Sequence, residues 1–242
     1  MAVLPTTKKS PIVDLNNTSV LIHGVPKIGK TRWCASAPNV LALVCEPGGW
    51  DSVEAYRIEV LQWEQIQSIY AELKSFVDAK STFPYGAICI DTIDMFRDMS
   101  ENYVCRQNRV VHQADLAHGK GWSLVTTEFR RMLMDFARLP VPLFLISHSR
   151  VVPMETRVEK YSMNVPTLTD SPRRIVLGLV STILYFELGY DKKTGKQVRI
   201  VRTKPNKYYE AGDRCGILPP SLHMNYESFA DCFTNQTVKE KG

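Results

Sequence analysis

The sequence predicts an α/β protein with a mostly parallel central sheet flanked by helices and a C-terminal β-hairpin. Short apolar runs alternate with longer segments whose apolar residues recur at helical spacing, a pattern typical of parallel strands joined by crossover helices. The composition, 44% hydrophobic and 23% charged residues, is that of a globular domain. A chain of 242 residues is long enough to bury one sizeable core. We therefore expect one domain with short extensions.

The first half of the chain contains four predicted strands, separated by turns rich in Pro and Gly or by amphipathic segments. The helical segments place apolar residues on one face, which would pack against the sheet. The predicted strands cover 20–23, 40–45, 57–61 and 87–90, and the predicted helices cover 30–38, 63–77 and 95–105.

The second half contains a predicted helix over 122–139, a strand over 143–146, an apolar segment over 175–187 and a hairpin near 191–195. Two stretches, 106–121 and 150–170, have no sustained period, so we predict irregular loops there. Loops of such length in a compact domain usually carry function. We place the domain at 18–219, between an N-terminal arm, 1–17, and a C-terminal extension, 220–242.

Several features argue against a membrane or secreted protein. The most apolar stretch, 175–189, is too short to span a bilayer and contains Ser181 and Thr182. The first residues lack the apolar core of a secretory signal, and the six cysteines form no C-x-x-C pair. We expect a cytoplasmic protein with no membrane partner.

A net charge of +5 does not by itself demand a polyanionic partner. The charge is unevenly distributed, however, because residues 192–214 contain eight basic and two acidic side chains.

A phosphate-binding motif follows the first predicted strand. The sequence GVPKIGKT at 24–31 matches G-x-x-x-x-G-K-[ST] in full and opens a predicted helix, which is the context that makes the motif credible. Its backbone N–H groups and the helix N-terminus favour a bound phosphate, and Lys30 is expected to reach the β- and γ-phosphates. The predicted nucleotide-binding residues are Gly24, Val25, Pro26, Lys27, Ile28, Gly29, Lys30, Thr31 and Arg32.

Three acidic residues are candidates for the chemistry around this loop. Asp91 ends a buried strand, and parallel strands bring their carboxyl ends to one crevice, so Asp91 and the Thr31 hydroxyl are expected to serve Mg²⁺. Hydrolysis also needs a group that activates water. Glu46, in a tight turn after the second strand, is the best candidate, and Asp94 is an alternative.

The order GVPKIGKT, VLALVCEPGG, ICIDTID, LFLISHS and RIVRTKPNK resembles the RecA-like P-loop NTPase core. Within that group it is most similar to the small phage-encoded proteins regarded as minimal RecA-like recombinases that promote annealing of single strands. The resemblance spans roughly 18–219. It implies an ATPase that uses ATP and Mg²⁺ in the cytoplasm of a bacterial host.

The resemblance also implies roles for individual residues. Glu46 would be the general base, Asp91 the acidic residue of the second nucleotide motif, and His148 the γ-phosphate sensor, at a place often held by Gln. Arg202 and Lys204 would reach the nucleotide site of a neighbouring subunit and act on its γ-phosphate in catalysis.

The two irregular stretches fall where RecA-like proteins keep their DNA-binding loops. Basic residues there can neutralise phosphates, and an aromatic ring can stack on a base. The implied partners are single-stranded DNA, further copies of the chain in a ring or filament, and a single-stranded-DNA-binding protein. The candidate DNA-binding residues are Arg106, Arg109, Lys120, Arg150, Arg157, Lys160 and Tyr161.

Three other functions remain open at the level of sequence. A ring-forming DNA motor or helicase shares the core and would unwind DNA processively. A small-molecule phosphotransferase shares the loop and would act on nucleosides without regard to DNA. A nucleotide switch without hydrolysis would tolerate the substitution Glu46→Gln.

Overall fold

The computed structural model describes residues 4, 6–8, 13–191 and 194–239. Eight residues of the predicted N-terminal arm, 1–17, lie outside these ranges. The part next to the domain, Leu15–Asn17, forms one 3-10 turn, and the Asp14 carboxylate caps it by accepting a hydrogen bond from the Asn16 N–H at 3.0 Å.

A sheet of ten strands forms the centre of the described chain. Six parallel strands follow the order β3-β2-β4-β5-β1-β7, and β8 and β10 extend the sheet with antiparallel pairing. The short β9 pairs with the start of β7, and β6 pairs with β5. The strands are β1 (Ser19–Gly24), β2 (Val40–Val44), β3 (Tyr56–Glu59), β4 (Ala87–Asp91), β5 (Leu143–Glu155), β6 (Lys160–Pro166), β7 (Thr182–Tyr190), β8 (Gln197–Arg202), β9 (Gly212–Asp213) and β10 (Ser221–His223).

Helices cover both faces of the sheet, which gives three layers. One apolar cluster packs α2 to α5 against one face, and a second packs α1 and α6 against the other. The predicted α/β class is therefore confirmed. The helices are α1 (Lys30–Ala35), α2 (Trp63–Asp78), α3 (Ile93–Gln107), α4 (Lys120–Phe136), α5 (Asp170–Leu179) and α6 (Tyr226–Lys239).

The predicted irregular loop over 150–170 is wrong for most of its length. Strand β5 continues to Glu155, and β6 pairs with it antiparallel from Ser149 opposite Pro166 to Glu155 opposite Lys160. We call residues 149–166 the β5–β6 hairpin. Most of its side chains are exposed or half-buried. Only the root of this hairpin is buried, at Val165 and Pro166. The outer part of β5, 150–155, lacks the apolar alternation by which a half-buried strand is recognised.

The other predicted irregular stretch, 106–121, is irregular only over 108–112 and at Leu116, because it also contains the end of α3 at Gln107, 3-10 turns at Gln113–Asp115 and Ala117–Gly119, and the start of α4 at Lys120. The C-terminal hairpin is confirmed as the antiparallel pair β7–β8. Lys192 and Lys193 lie outside the described residues. No helix within the described ranges has both the length and the apolar character needed to cross a membrane.

Strand β10 and helix α6 come from the segment at 220–242. Three aromatic side chains of α6 are buried: Tyr226, Phe229 and Phe233. They pack in the cluster that also holds Trp33 of α1, directly after the phosphate loop. Helix α6 therefore packs against α1, the helix that follows the phosphate loop.

Candidate functional site

The phosphate loop connects β1 to α1 in a conformation that its glycines allow. Gly24 ends β1, where a Cβ atom would lie only 2.6 Å from the backbone oxygen of Phe186, so no larger residue fits. Gly29, just before α1, has a φ of 117°, which favours glycine. The chain can thereby wrap closely around an anion at the start of the helix.

The side chain of Lys30 lies inside this loop. Its ammonium donates hydrogen bonds to the backbone oxygens of Gly24 at 2.8 Å and Val25 at 3.1 Å, and the residue is only 6% exposed. Burial lowers the pKa of Lys30, while the carboxylates of Asp91 and Glu46 oppose that shift. The cation is thus held at the phosphate site by the loop itself.

Thr31 and Asp91 form an oxygen-lined corner beside the loop. The Thr31 hydroxyl donates to Asp91 Oδ2 at 3.0 Å, and the indole N–H of Trp50 donates to the same oxygen at 2.9 Å. Burial raises the pKa of Asp91, and these two hydrogen bonds oppose the shift. Hydroxyl and carboxylate oxygens are the ligands that Mg²⁺ prefers, so this pair fits the predicted metal role.

Glycine keeps the corner open. A Cβ atom at Gly49 would lie 3.3 Å from the Thr31 hydroxyl oxygen and 3.8 Å from Asp91 Oδ2. A side chain at this position would therefore crowd the Thr31 hydroxyl.

Glu46 faces the same cleft from the turn after β2. Its Oε2 atom lies 3.3 Å from Nε2 of His148 and accepts a long hydrogen bond, 3.4 Å, from the Thr92 hydroxyl. The Glu46 side chain is 44% exposed and that of His148 is 33% exposed. The structure therefore brings the predicted base and the predicted sensor into contact, with room for a substrate beside them.

A cleft of about 530 Å³ joins these groups, within the usual size range of small-molecule sites. Val25 is exposed and Ile28 is buried in the core, so neither side chain lines it. The predicted residues that line the cleft are Pro26, Lys27, Gly29, Lys30, Thr31, Arg32, Glu46, Asp91 and His148.

Arg202 and Lys204 are not among the lining residues. Arg202 Nε donates to Glu187 Oε1 at 2.6 Å, and Lys204 Nζ lies 3.2 Å from Asp213 Oδ2. Both cations are therefore engaged in ion pairs within their own chain, and a role in a neighbouring site would require these pairs to open.

Arg199 lines the cleft instead, and the sequence analysis did not single it out. Its Nη1 atom would lie 3.6 Å from a Cβ atom at Gly29, and no ion pair holds it within the described part of the chain. Successive side chains of a strand point to opposite faces. Arg199 shares a face with the buried Val201, and Arg202 lies on the other face, so alternation along β8 is the signal that distinguishes them.

The candidate DNA-binding residues divide between two regions. Arg106 at the end of α3 pairs with Glu64 at 2.9 Å, and Lys160 pairs with Glu155 at 2.8 Å, so part of this charge is neutralised. Tyr161 is half-buried on β6. Four of the cations form no ion pair with the residues that the structure describes: Arg109, Lys120, Arg150 and Arg157.

The chain is similar to a solved structure and to a protein family. A KaiC-like protein from the hyperthermophilic archaeon Pyrococcus horikoshii OT3 is similar at 13% identity, with 81% of each chain covered and a TM-score of 0.38. No curated protein matches the chain. Residues 16–215 match the family described as AAA domain. That range contains the phosphate loop, Glu46, Asp91 and His148, and the chain therefore belongs to the AAA domain family of P-loop ATPases.

Proposed function

We propose that the protein hydrolyses ATP with Mg²⁺ and that single-stranded DNA controls this activity during recombination, in annealing or strand exchange. The observation that carries the proposal is the position of Glu46. Its carboxylate lies in the cleft of Lys30 and Thr31 and is held by His148 at 3.3 Å. A nucleotide switch needs no carboxylate there, whereas hydrolysis needs a proton acceptor beside the γ-phosphate.

Each group in the cleft has a part in this chemistry. The loop N–H groups bind phosphate, and Lys30 exchanges its two backbone acceptors for phosphate oxygens when the nucleotide enters. Glu46 accepts a proton from the attacking water, and His148 fixes the orientation of Glu46. Thr31 and Asp91 would hold Mg²⁺, which neutralises charge on the phosphate oxygens.

The β5–β6 hairpin supports the DNA part of the proposal. Its root continues directly from His148 along β5, and it carries Arg150 and Arg157 without ion pairs in the described chain. Free guanidinium groups can contact phosphates, and Tyr161 offers a ring for stacking. A ligand on this hairpin would thus lie on an element that continues into the hydrolytic site.

The test is steady-state ATP hydrolysis at low salt with and without a poly-dT oligonucleotide. We expect poly-dT to raise the rate at least about tenfold and added salt to abolish the effect, because phosphate contacts weaken steeply with salt. Lys30→Ala should lose both nucleotide binding and turnover, whereas Glu46→Gln should bind ATP but not hydrolyse it.

Two results would contradict the proposal. If Glu46→Gln hydrolyses ATP at the rate of the parent protein, Glu46 is not the general base. A hydrolysis rate that does not respond to poly-dT at any salt concentration would be compatible with an ATPase. It would contradict the proposed control by single-stranded DNA. Processive unwinding of a duplex would instead favour the motor.

A further inference from the structure

A ring of contacts connects the hydrolytic pair to the root of the β5–β6 hairpin. One half of the ring passes through α3. Thr92, the N-cap of α3, donates to Glu46 Oε2 at 3.4 Å and accepts from the Met95 N–H at 3.3 Å. Asp94 lies in the same first turn. Glu46 and Asp94 are therefore both attached to the beginning of one helix.

The other half of the ring passes through the hairpin root. The Thr167 hydroxyl donates to Asp94 Oδ1 at 2.9 Å, and the Thr167 N–H donates to the backbone oxygen of His148 at 3.0 Å. His148 closes the ring through Nε2, 3.3 Å from Glu46 Oε2. Thr167 is the residue after β6, and His148 precedes the first pair of the hairpin, Ser149 with Pro166. A twist of the hairpin would therefore displace His148 and Thr167 together.

The Thr167 hydroxyl has one proton, so its choice of acceptor matters. The backbone oxygen of His148 lies 3.2 Å away, and the carboxylate of Asp94 is both closer and charged, which favours Asp94 as the acceptor. The Ser147 hydroxyl donates to the backbone oxygen of His148 at 3.1 Å, and its oxygen lies 3.3 Å from that of Thr167. Ser147, Thr167 and Asp94 thereby form one polar chain next to His148.

Two atoms of this region have no partner among the described residues. Nδ1 of His148 and Oδ2 of Asp94 are both buried without a hydrogen bond. Buried polar atoms without partners are uncommon and mark places where an alternative arrangement can gain a bond. The ring is therefore suited to two states, because either side chain gains by moving.

We propose that Thr167 and Asp94 are positioning residues that transmit the conformation of the β5–β6 hairpin to the Glu46–His148 pair. The proposal rests on the function given above, in which Glu46 activates water and the hairpin binds single-stranded DNA. Neither residue lines the phosphate cleft. Thr167 holds the hairpin root to α3, and α3 holds Glu46 through Thr92, so binding at the hairpin changes the rate of hydrolysis and leaves the affinity for ATP unchanged.

The experiment compares Thr167→Val, which keeps the shape but removes the hydroxyl, with Thr167→Ser, which restores it. Thr169→Val is the matched control, because Thr169 is exposed two residues later and its side chain makes no capping bond. We measure kcat and KM for ATP with and without poly-dT. We also record the imidazole NMR resonances of His148, assigned with His148→Gln, in the absence of nucleotide.

We expect Thr167→Val to lower kcat in poly-dT by about five- to tenfold with KM unchanged, a size typical of coupling through a packed network. The His148 resonances should shift in Thr167→Val and not in Thr167→Ser or Thr169→Val. A parent-like kcat together with unshifted resonances in Thr167→Val would overturn the inference.

The NMR measurement separates this inference from the proposed function. If the parent protein does not hydrolyse ATP or does not respond to poly-dT, the proposed function fails. The His148 resonances then test the connection between Thr167 and His148 independently of ATP hydrolysis. A shift specific to Thr167→Val supports this connection, and the absence of such a shift refutes it.

Discussion

Among the basic residues around the phosphate loop, Arg199 differs in coming from β8, in the antiparallel part of the sheet. It lines the cleft from β8, whereas Lys27, Lys30 and Arg32 belong to the loop and its helix. A guanidinium group can bind two phosphate oxygens at once and keeps its charge at any working pH. Arg199 is therefore suited to stabilise charge that develops on the phosphates.

Arg199→Ala should lower kcat for ATP hydrolysis by about ten- to a hundredfold, in line with the loss of one charge-stabilising donor. Lys196→Ala is the control, since Lys196 is an exposed cation on the same hairpin and does not line the cleft. Steady-state kinetics at saturating ATP distinguishes them. Equal rates for Arg199→Ala and the parent would show that the guanidinium does not reach the phosphates.

His23, the residue before the phosphate loop, makes folding sensitive to acid. It is fully buried, its Nε2 lies 2.6 Å from the Glu210 backbone oxygen and its Nδ1 lies 2.8 Å from the Ser149 hydroxyl. A carbonyl oxygen only accepts, so Nε2 carries the proton and Nδ1 accepts from Ser149. Burial lowers the pKa of His23 to about 4. The ring is therefore neutral in the folded protein at neutral pH.

The unfolded chain binds a proton at His23 near the ordinary pKa, above that of the folded state, so stability falls as pH drops from 6.5 towards 4. His23 should contribute a loss of about 3 kcal/mol in the free energy of unfolding over this range. His23→Gln keeps a donor for Glu210 and does not titrate. In urea unfolding at several pH values, the parent should lose that much more stability than His23→Gln, and parallel pH profiles would contradict the assignment.

At the scale of elements, α6 supports the nucleotide site although it lies far from the loop in sequence. Phe229 is fully buried, with its ring centroid 5.4 Å from that of Trp33 in α1 and 5.1 Å from that of Phe233. Trp33 also packs edge-on against Phe144 and Phe186 of the sheet. The aromatic cluster thereby fixes α1, which begins at Lys30, between the sheet and α6.

Phe229→Ala should lower the free energy of unfolding by about 3–5 kcal/mol, the cost of removing a large buried ring. Asp231→Ala, at an exposed position of the same helix, should change it little. Urea denaturation followed by circular dichroism measures both. If the free energy of unfolding falls by less than about 1 kcal/mol, either the neighbouring side chains fill the space left by Phe229 or α6 does not pack as described.

Sequence patterns predicted those elements whose signals are local. The phosphate loop and the strands ending at Cys45 and Asp91 contain their signals within a few residues, and the structure brings Lys30, Glu46, Asp91 and His148 to one cleft. Arg199 and Trp50 were missed as site residues because their places depend on the register of β8 and on a contact across 41 residues of chain. The β5–β6 hairpin was missed because only its root, Val165 and Pro166, is buried and the rest of it lies outside the core.

At the scale of the whole molecule, assembly remains a proposal that rests on the resemblance and on Arg202 and Lys204. Suppose that Arg202 acts in the nucleotide site of a neighbouring subunit. Arg202→Ala subunits then lack this guanidinium but keep an intact phosphate loop. Lys30→Ala subunits lack the lysine of the phosphate loop but keep Arg202. Head-to-tail contacts in a random equimolar mixture would then pair intact halves at roughly one quarter of the interfaces.

We therefore expect each variant to be inactive alone and the mixture to recover ATP hydrolysis. A titration of one variant into the other, with total protein held constant, measures the recovery. A mixture of Lys30→Ala with Glu46→Gln is the control. Both substitutions damage the nucleotide site and leave Arg202 intact, so this mixture forms no interface with both halves intact. Absence of recovery at every ratio would confine Arg202 to its ion pair with Glu187.

The hydrogen bond from Trp50 to Asp91 gives the site an optical label of its own. The indole N–H of Trp50 touches the carboxylate that is suited to the cation, and its ring is 2% exposed. Indole emission responds to the charge and hydrogen bonding of its immediate surroundings, so a cation that draws on Asp91 alters the fluorescence of this residue directly. If Mg²⁺ binds there as proposed, the change in indole emission reports its binding without an attached dye.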